Sequence, residues 1–402
     1  MRESRIQTVV LTVRYAVRSS YYDDWLDAFE ASPLFSVTTY NLFRSGERRA
    51  ARRAVANAEL IVALHACSAD TLEFIRPLRA ALQARHGRFL VLIGNEYNLP
   101  WCRLADKRRL LAETGADWVG TQLPLEAGEW LYEGTGARVI ALPHAANETV
   151  FRRTRPAGAR NIDIGGRSFP YPVYIGDQER NRVYQRFAEI GPSHGLRVDL
   201  AMNARLNRPA WAAFLNDCRA TIGTEAGTRY LERDDRTALA IRDFLSERTR
   251  GPTIRADGWL HAVVRHLPYG MKDRLKGLLA YSPIRHEALA EDDAASDEIE
   301  ARFFTGREPC PVYSKCISSR HFEAAATGTC QILIRGRYNN ILEADRHYIP
   351  LAPDLADAGA AIERFRDVGE RQRIADAAHQ LVQDCHTFRH RLAALHKKVS
   401  TL

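Results

Sequence analysis

Glu323 is the carboxylate best placed for chemistry, because the segment around it, SSRHFEAAATG from Ser318, must start and end a helix within a few turns. Ser318 or Ser319 can cap that helix, since a hydroxyl satisfies one of the amides left free in the first turn. Gly328 suits the left-handed residue that follows a helix end. A first-turn acid is favoured by the helix dipole. A capping box, however, needs a hydroxyl three residues before Glu323, and Arg320 stands there. Lys315 and Arg320 flank the helix start, and the amides of Ser318 and Ser319 offer an anion site of the helix-terminus kind. The apolar run Cys330 to Ile334 then reads as a strand, and Gly336, Tyr338, Asn339 and Asn340 form the loop at its carboxyl end. Such loops are where open α/β sheets hold ligands.

In the first half of the chain, His65 follows ELIVAL and Glu96 follows FLVLIG, so both stand at the carboxyl ends of expected strands. His65 titrates near neutrality and suits a general base. Glu96, between Asn95 and Tyr97, suits a base or a hydroxyl clamp, with Asp23 and Asp24 as alternatives that also fit helix-start acids.

Positioning these groups requires a sheet. Short apolar runs at Val9 to Val13, Phe35, Glu59, Phe89, Trp118 and Val139 alternate with helix-length segments, the rhythm of a doubly wound, mostly parallel sheet over residues 1–155. YPVYIGDQERNRVYQRFAEI from Tyr171 reads as a strand, a Gly176 turn and a helix opening a second domain, 156–385. LRVDLAM from Leu196 and RATIGTEAGT from Arg219 supply its next strands, and Glu225 and Gly227 lie in the loop after the latter. Residues of about 230–308 break the rhythm and read as a helical insertion, with a basic amphipathic run from Lys272. The acids Glu291, Asp292 and Asp293 have no strand before them to fix their geometry, which makes them a solvated run rather than a metal site. After Leu351 the spacing is helical and the last turns are basic.

The chain has 402 residues, enough for two domains, with seven scattered cysteines that lack metal-ligand spacing. No apolar run approaches the roughly 20 residues that cross a bilayer, and the start lacks a secretory cleavage site, so a cytoplasmic location is expected. A net charge of +8 favours an anionic partner: a nucleotide diphosphate, an anionic lipid surface or nucleic acid. Nucleic acid is not expected, because the cations are dispersed and no recognition motif is present.

The stretch Tyr313 to Leu351 resembles the donor-binding segment of nucleotide-sugar glycosyltransferases of the GT-B fold with a "group 1" type C-terminal domain. PHAANETVFRRTRP from Pro143 resembles the segment that closes their first domain, and HTFRHRL from His386 resembles the start of a final helix, 386–402, that crosses back to it. The resemblance implies two Rossmann-like doubly wound domains, a nucleotide-diphosphate sugar as donor and a saccharide, lipid-linked or other hydroxyl acceptor in the cleft between them. It further implies that Glu323 binds the ribose hydroxyls, that the helix start faces the diphosphate, that Gly176 allows close backbone approach and that Arg180 adds positive charge. Lys315, Ser318, Ser319 and Arg320 would hold the leaving group without metal or other cofactor, while Tyr338, Asn339 and Asn340 would meet the sugar or nucleotide. His65 and Glu96 would serve the acceptor. Many retaining members carry a second glutamate where this chain has Lys315, so retention or inversion stays open. Arg335 and Arg337 suit exposed loop cations, and Arg389, His390, Arg391, Lys397 and Lys398 suit either the final helix or a peripheral anionic-membrane patch. A sugar-nucleotide epimerase of the same fold and a non-catalytic binding protein are the alternatives.

Overall fold

The computed structural model describes residues 5–14, 21–202, 204, 206–248, 253–254, 285–286 and 293–400. The apolar runs of the first part become β1 (Ile6–Thr12), β2 (Phe35–Asn41), β3 (Leu60–Ala63), β4 (Arg88–Leu92), β5 (Trp118–Thr121) and β6 (Arg138–Ala141). They form one parallel sheet in the order β2-β1-β3-β4-β5-β6. Helices cover both faces of a sheet of this kind, so its central strands are apolar throughout rather than alternating, and every residue of β3 is buried. Leu11, Ile61 and Val91 pack on one face, Val10, Val62 and Leu90 on the other.

The second part supplies β7 (Ile162–Ser168), β8 (Val198–Met202), β9 (Cys218–Gly223), the two-residue strands β10 (Ala226–Gly227), β11 (Thr253–Ile254), β12 (Arg285–His286) and β13 (Lys315–Cys316), then β14 (Cys330–Ile334) and β15 (Ile349–Leu351). The large strands form a second parallel sheet in the order β15-β14-β9-β7-β8. β10 pairs antiparallel with β13, and β11 pairs with β12. The strand expected at Tyr171 is absent there. Val173–Ile175 is a single 3-10 turn, and the opening strand is β7, sequence IDIGGRS. Its glycines hide it from an apolar-run reading but are needed for packing. A Cβ on Gly165 would lie 2.2 Å from the Cys218 sulfur, and one on Gly166 would lie 2.5 Å from the Tyr184 hydroxyl.

The described part of the expected insertion contains the helices Arg236–Arg248 and Asp293–Ile299, the latter running into a π-type turn at Glu300–Phe304. The basic run from Lys272 and the acids Glu291 and Asp292 lie outside the described residues. The final helix, Phe388–Ser400, returns to the first sheet, where Phe388, Leu392 and Leu395 pack with Trp25 and Phe29. At about 1.5–3 kcal/mol for each side chain fully withdrawn from water, these three contribute several kcal/mol to the return. The expected basic patch is therefore incomplete: Arg391 turns inward and donates to the Pro143 and His144 carbonyls, while Lys397 and Lys398 are exposed. Among the described residues, no helix is long and apolar enough to cross a membrane.

Each strand order reverses at one point, between β1 and β3 in the first sheet and between β7 and β9 in the second. Loops diverge there and leave a crevice at the carboxyl ends of the strands.

Candidate active site in the cleft between the sheets

The two crevices meet in one cleft of about 710 Å³, open to solvent. The first domain lines it with Tyr22, Asn95, Glu96, Tyr97, Gln122, Leu123 and His144. The second lines it with Tyr171, Arg180, Ala226, Gly227, Cys316, Ser318, Ser319 and Arg320. A recess of about 430 Å³ continues from Arg180, Ser318 and Arg320 past Trp211, Thr224 and Gln331 into the second domain.

The second-domain wall brings two guanidiniums to a helix start, groups that suit an anion. Arg180 lies over the Tyr171 ring at 3.8 Å and donates to its hydroxyl at 2.5 Å. Arg320 donates to the Ser168 hydroxyl at 3.1 Å. Burial and the neighbouring charge of Arg180 hold Arg320 below the usual arginine value. Neither guanidinium forms an ion pair among the described residues. Between them starts the eight-residue helix Ser319–Ala326, with its first-turn amides and positive dipole end.

Several expected ligands are committed elsewhere. The Lys315 ammonium is buried against Asp177, at 2.9 Å, and Glu179, so its charge is spent inside the protein. The Ser318 amide donates to His321 Nδ1 at 3.0 Å and the His321 amide donates to the Ser318 carbonyl at 3.2 Å, so Ser319 and Arg320 carry the first-turn amides that suit a ligand. Burial pushes His321 down to about 3, and the neutral ring serves as a helix cap. Gly176 adopts φ +62, and a Cβ there would meet the Phe304 ring at 2.3 Å, so packing rather than phosphate approach demands the glycine. Tyr338 is buried with its hydroxyl donating to the Ile334 carbonyl, and its amide donates to Glu225 at 2.6 Å. Glu225, which also accepts from the Tyr313 hydroxyl, thus shapes this loop, while Gly227 reaches the cleft. Tyr338, Asn339 and Asn340 all have positive φ, a left-handed turn that asparagine tolerates. Asn339 ties the domains together, accepting from the Ile317 amide at 2.8 Å and donating to the Gln122 carbonyl at 2.9 Å. Asn340 is exposed.

Glu323 is buried and accepts from the Trp211 indole at 2.7 Å; the indole, not the carboxylate, faces the recess. Burial and the nearby Asp24 push its pKa up to about 7. A carboxyl raised in the folded state binds its proton more tightly there than in the unfolded chain, so its contribution falls as pH rises from about 4.5 to about 7. Glu323→Gln is accordingly expected to flatten the loss of stability between pH 5 and 7 by an amount that urea unfolding resolves. Unchanged slopes for both proteins would show that Glu323 does not titrate in this window.

On the first-domain wall, His65 lies behind the lining. It is stacked flat on Tyr22, with ring centroids 5.4 Å apart, and packs against His144. Burial holds it well below its ordinary value, and its Nδ1 has no hydrogen-bond partner among the described residues. His144 does reach the cleft. Its Nδ1 accepts from the Trp25 indole at 3.0 Å, which places the ring proton on Nε2, and burial pushes it down to about 3. Glu96 lines the cleft. Its Oε1 accepts from the Thr121 and Tyr132 hydroxyls, both at 2.6 Å, and its Oε2 accepts from the Gln122 amide at 2.8 Å, while burial raises its pKa. Asp23 pairs with Arg14 on the surface. Asp24 is buried against Asn147 at 2.7 Å and Arg208 at 2.6 Å, an ion pair between the domains. Tyr22, Tyr171, His144 and Trp211 went unnoticed as site residues in the sequence, since Tyr22 and Trp211 sit in the helices Tyr21–Ala31 and Arg208–Asp217 and carry no local signal. Among the described residues no cluster of three or more His, Cys, Asp or Glu side chains could hold a metal ion.

Residues 286–397 match the model of a family described as glycosyl transferase-like. No curated protein matches the sequence. Among solved structures, the chain is similar to HepE of Anabaena in complex with UDP and glucose, at 11% identity and a TM-score of 0.53, and to the same protein in complex with UDP, at 9% identity and 0.53. Both likenesses cover 99% of this chain and 100% of the other. The architecture is that of the GT-B fold: two doubly wound domains facing across a cleft, with a final helix returning to the first.

Proposed function

We propose that the protein is a glycosyltransferase that moves a sugar from a nucleotide-diphosphate sugar to a hydroxyl acceptor in the cleft. The observation that carries this reading is the pair Arg180 and Arg320, neither in an ion pair among the described residues, at the start of a helix inside the segment that matches the glycosyl transferase-like model. UDP and UDP-glucose complexes of HepE support the donor class.

In the transfer, the bond from the anomeric carbon to the diphosphate oxygen breaks, a bond to the acceptor oxygen forms, and the acceptor proton leaves with a base. Charge grows on the diphosphate as an oxocarbenium-like centre develops. Arg180, Arg320 and the helix-start amides stabilise it, and because they are already in place little reorganisation is needed at the moment of reaction. These cations make a metal unnecessary for the leaving group. On the opposite wall, Tyr22 and Tyr97 stand where a free or lipid-linked saccharide would lie. Glu96 is the group for its hydroxyl, since among the described residues Oε2 accepts one hydrogen bond, and burial strengthens it as a base. His65 supports the wall through Tyr22.

A thermal-shift screen against uridine, guanosine, thymidine and cytidine diphosphates and their sugars tests the donor. A ligand at 100 times its dissociation constant stabilises the fold by about 2.7 kcal/mol, and the proposal fails if none shifts the transition. Transferase activity is expected to persist in excess chelator. Loss on chelation with recovery on adding magnesium or manganese would assign the leaving group to a metal instead.

A further inference from the structure

The acceptor wall is carried by the loop from Ile93 to Arg103, and the helix that follows it, Leu104–Thr114, has no cap of its own: Arg103 occupies the cap position and makes no side-chain cap bond. The missing acceptor comes from more than 130 residues away. Asp235 Oδ1 accepts from the Leu104 amide at 3.1 Å, and Oδ2 accepts from the Ala105 amide at 2.9 Å. The same Oδ1 accepts from Asn98 Nδ2 at 2.7 Å. Asn98 also exchanges two bonds with the Glu232 backbone, each of 2.9 Å, and Trp101 packs edge-on against Tyr174.

Asp235 gives up a local role to do this. It directly precedes the helix Arg236–Arg248, where its carboxylate would ordinarily cap the first turn. Glu232 takes that place instead, bonding the Thr237 amide and hydroxyl, each at 2.8 Å. Asp235 is meanwhile fully buried and held at φ +60, a left-handed backbone that is sparsely populated outside glycine. On the far side of the loop, the buried Lys107 ammonium donates to the Gly94 and Asn95 carbonyls at 2.7 and 2.8 Å, and Asn95 is itself at φ +51. The loop that presents Asn95, Glu96 and Tyr97 is thus pinned on one side by its own helix and on the other by Glu232 and Asp235, just before the helix Arg236–Arg248.

We propose that Asp235 is a positioning residue for the acceptor: by capping Leu104–Thr114 from the second domain, it makes the geometry of the Asn95–Tyr97 wall depend on the docking of the two domains. The acceptor site is then complete only when the donor domain is in place, which disfavours premature hydrolysis of the donor. The role in transfer rests on the glycosyltransferase reading above; the structural coupling does not.

The test compares Asp235→Ala, the milder Asp235→Asn and the double variant Asp235→Ala/Arg103→Ser, which gives the helix a cap within its own chain segment. In Asp235→Ala, hydrogen exchange at Leu104 and Ala105 and through the Asn95–Cys102 loop is expected to rise roughly tenfold, the scale of a lost cap. Nucleotide affinity should stay unchanged while the acceptor KM rises and hydrolysis gains on transfer. Asp235→Asn, which keeps one acceptor oxygen, should show the same changes more weakly. The double variant should recover thermal stability and helix protection but not the acceptor KM. Unchanged exchange in Asp235→Ala, or full recovery of acceptor KM in the double variant, would overturn the proposal by leaving Asp235 no role or only that of a helix cap. A wild-type protein that binds no nucleotide sugar overturns the glycosyltransferase reading alone, since the exchange measurements need no substrate.

Discussion

Lys315→Met is expected to destabilise the protein by about 3–5 kcal/mol, the cost of leaving buried charges without their partner. The ammonium is 2% exposed and is bound by Asp177 and Glu179, which are 6% and 8% exposed. Asp177 also accepts from the Glu179 amide at the start of the helix that carries Arg180. Arg229, 3.5 Å from Glu179 and largely exposed, cannot replace the lost charge. Urea unfolding of Lys315→Met gives the loss directly. The triple variant Lys315→Met/Asp177→Asn/Glu179→Gln should recover most of it, because neutral side chains of similar shape leave no charge unpaired. A single variant as stable as wild type, or a triple variant less stable than the single, would contradict this account.

The largest functional loss is expected at the paired guanidiniums. Hydrogen bonds to charged groups contribute about 1.5–3 kcal/mol each, so Arg320→Ala or Arg180→Ala should weaken binding of a nucleoside diphosphate roughly 10- to 150-fold, and the double variant more. Affinity for the free nucleoside should barely change, since neither cation has a charge to meet there. Calorimetry on both ligands decides the matter. Equal losses for nucleoside and diphosphate would mean that the arginines shape the recess and read no phosphate. Lys315 serves as the contrast, a cation from the same stretch whose charge is already matched.

How far such roles could be read from the sequence depended on the range of the interaction. The apolar runs that became β3 and β4 announced a parallel sheet, because a strand buried on both faces is close to continuously apolar. The helix Ser319–Ala326 was equally legible, since its cap and the left-handed Gly328 lie within its own few residues. β7 was not legible, because its glycines answer to Cys218 and Tyr184, which arrive from distant segments.

By itself the sequence determined the alternation that builds two facing sheets, the ends of their strands and the set of ionisable groups near those ends. Only the tertiary structure decided which of those groups remain available. Lys315, Arg180 and Arg320 look alike as residues, yet Lys315 forms ion pairs with two carboxylates from another element while neither arginine forms an ion pair among the described residues. Glu323 is held by Trp211 from 112 positions earlier, and Asp235 caps a helix 130 positions before it. The physical reason is that helix and strand formation are settled by neighbours along the chain. The charge state and freedom of a side chain are settled by neighbours in space, through burial and pairing that no local pattern records.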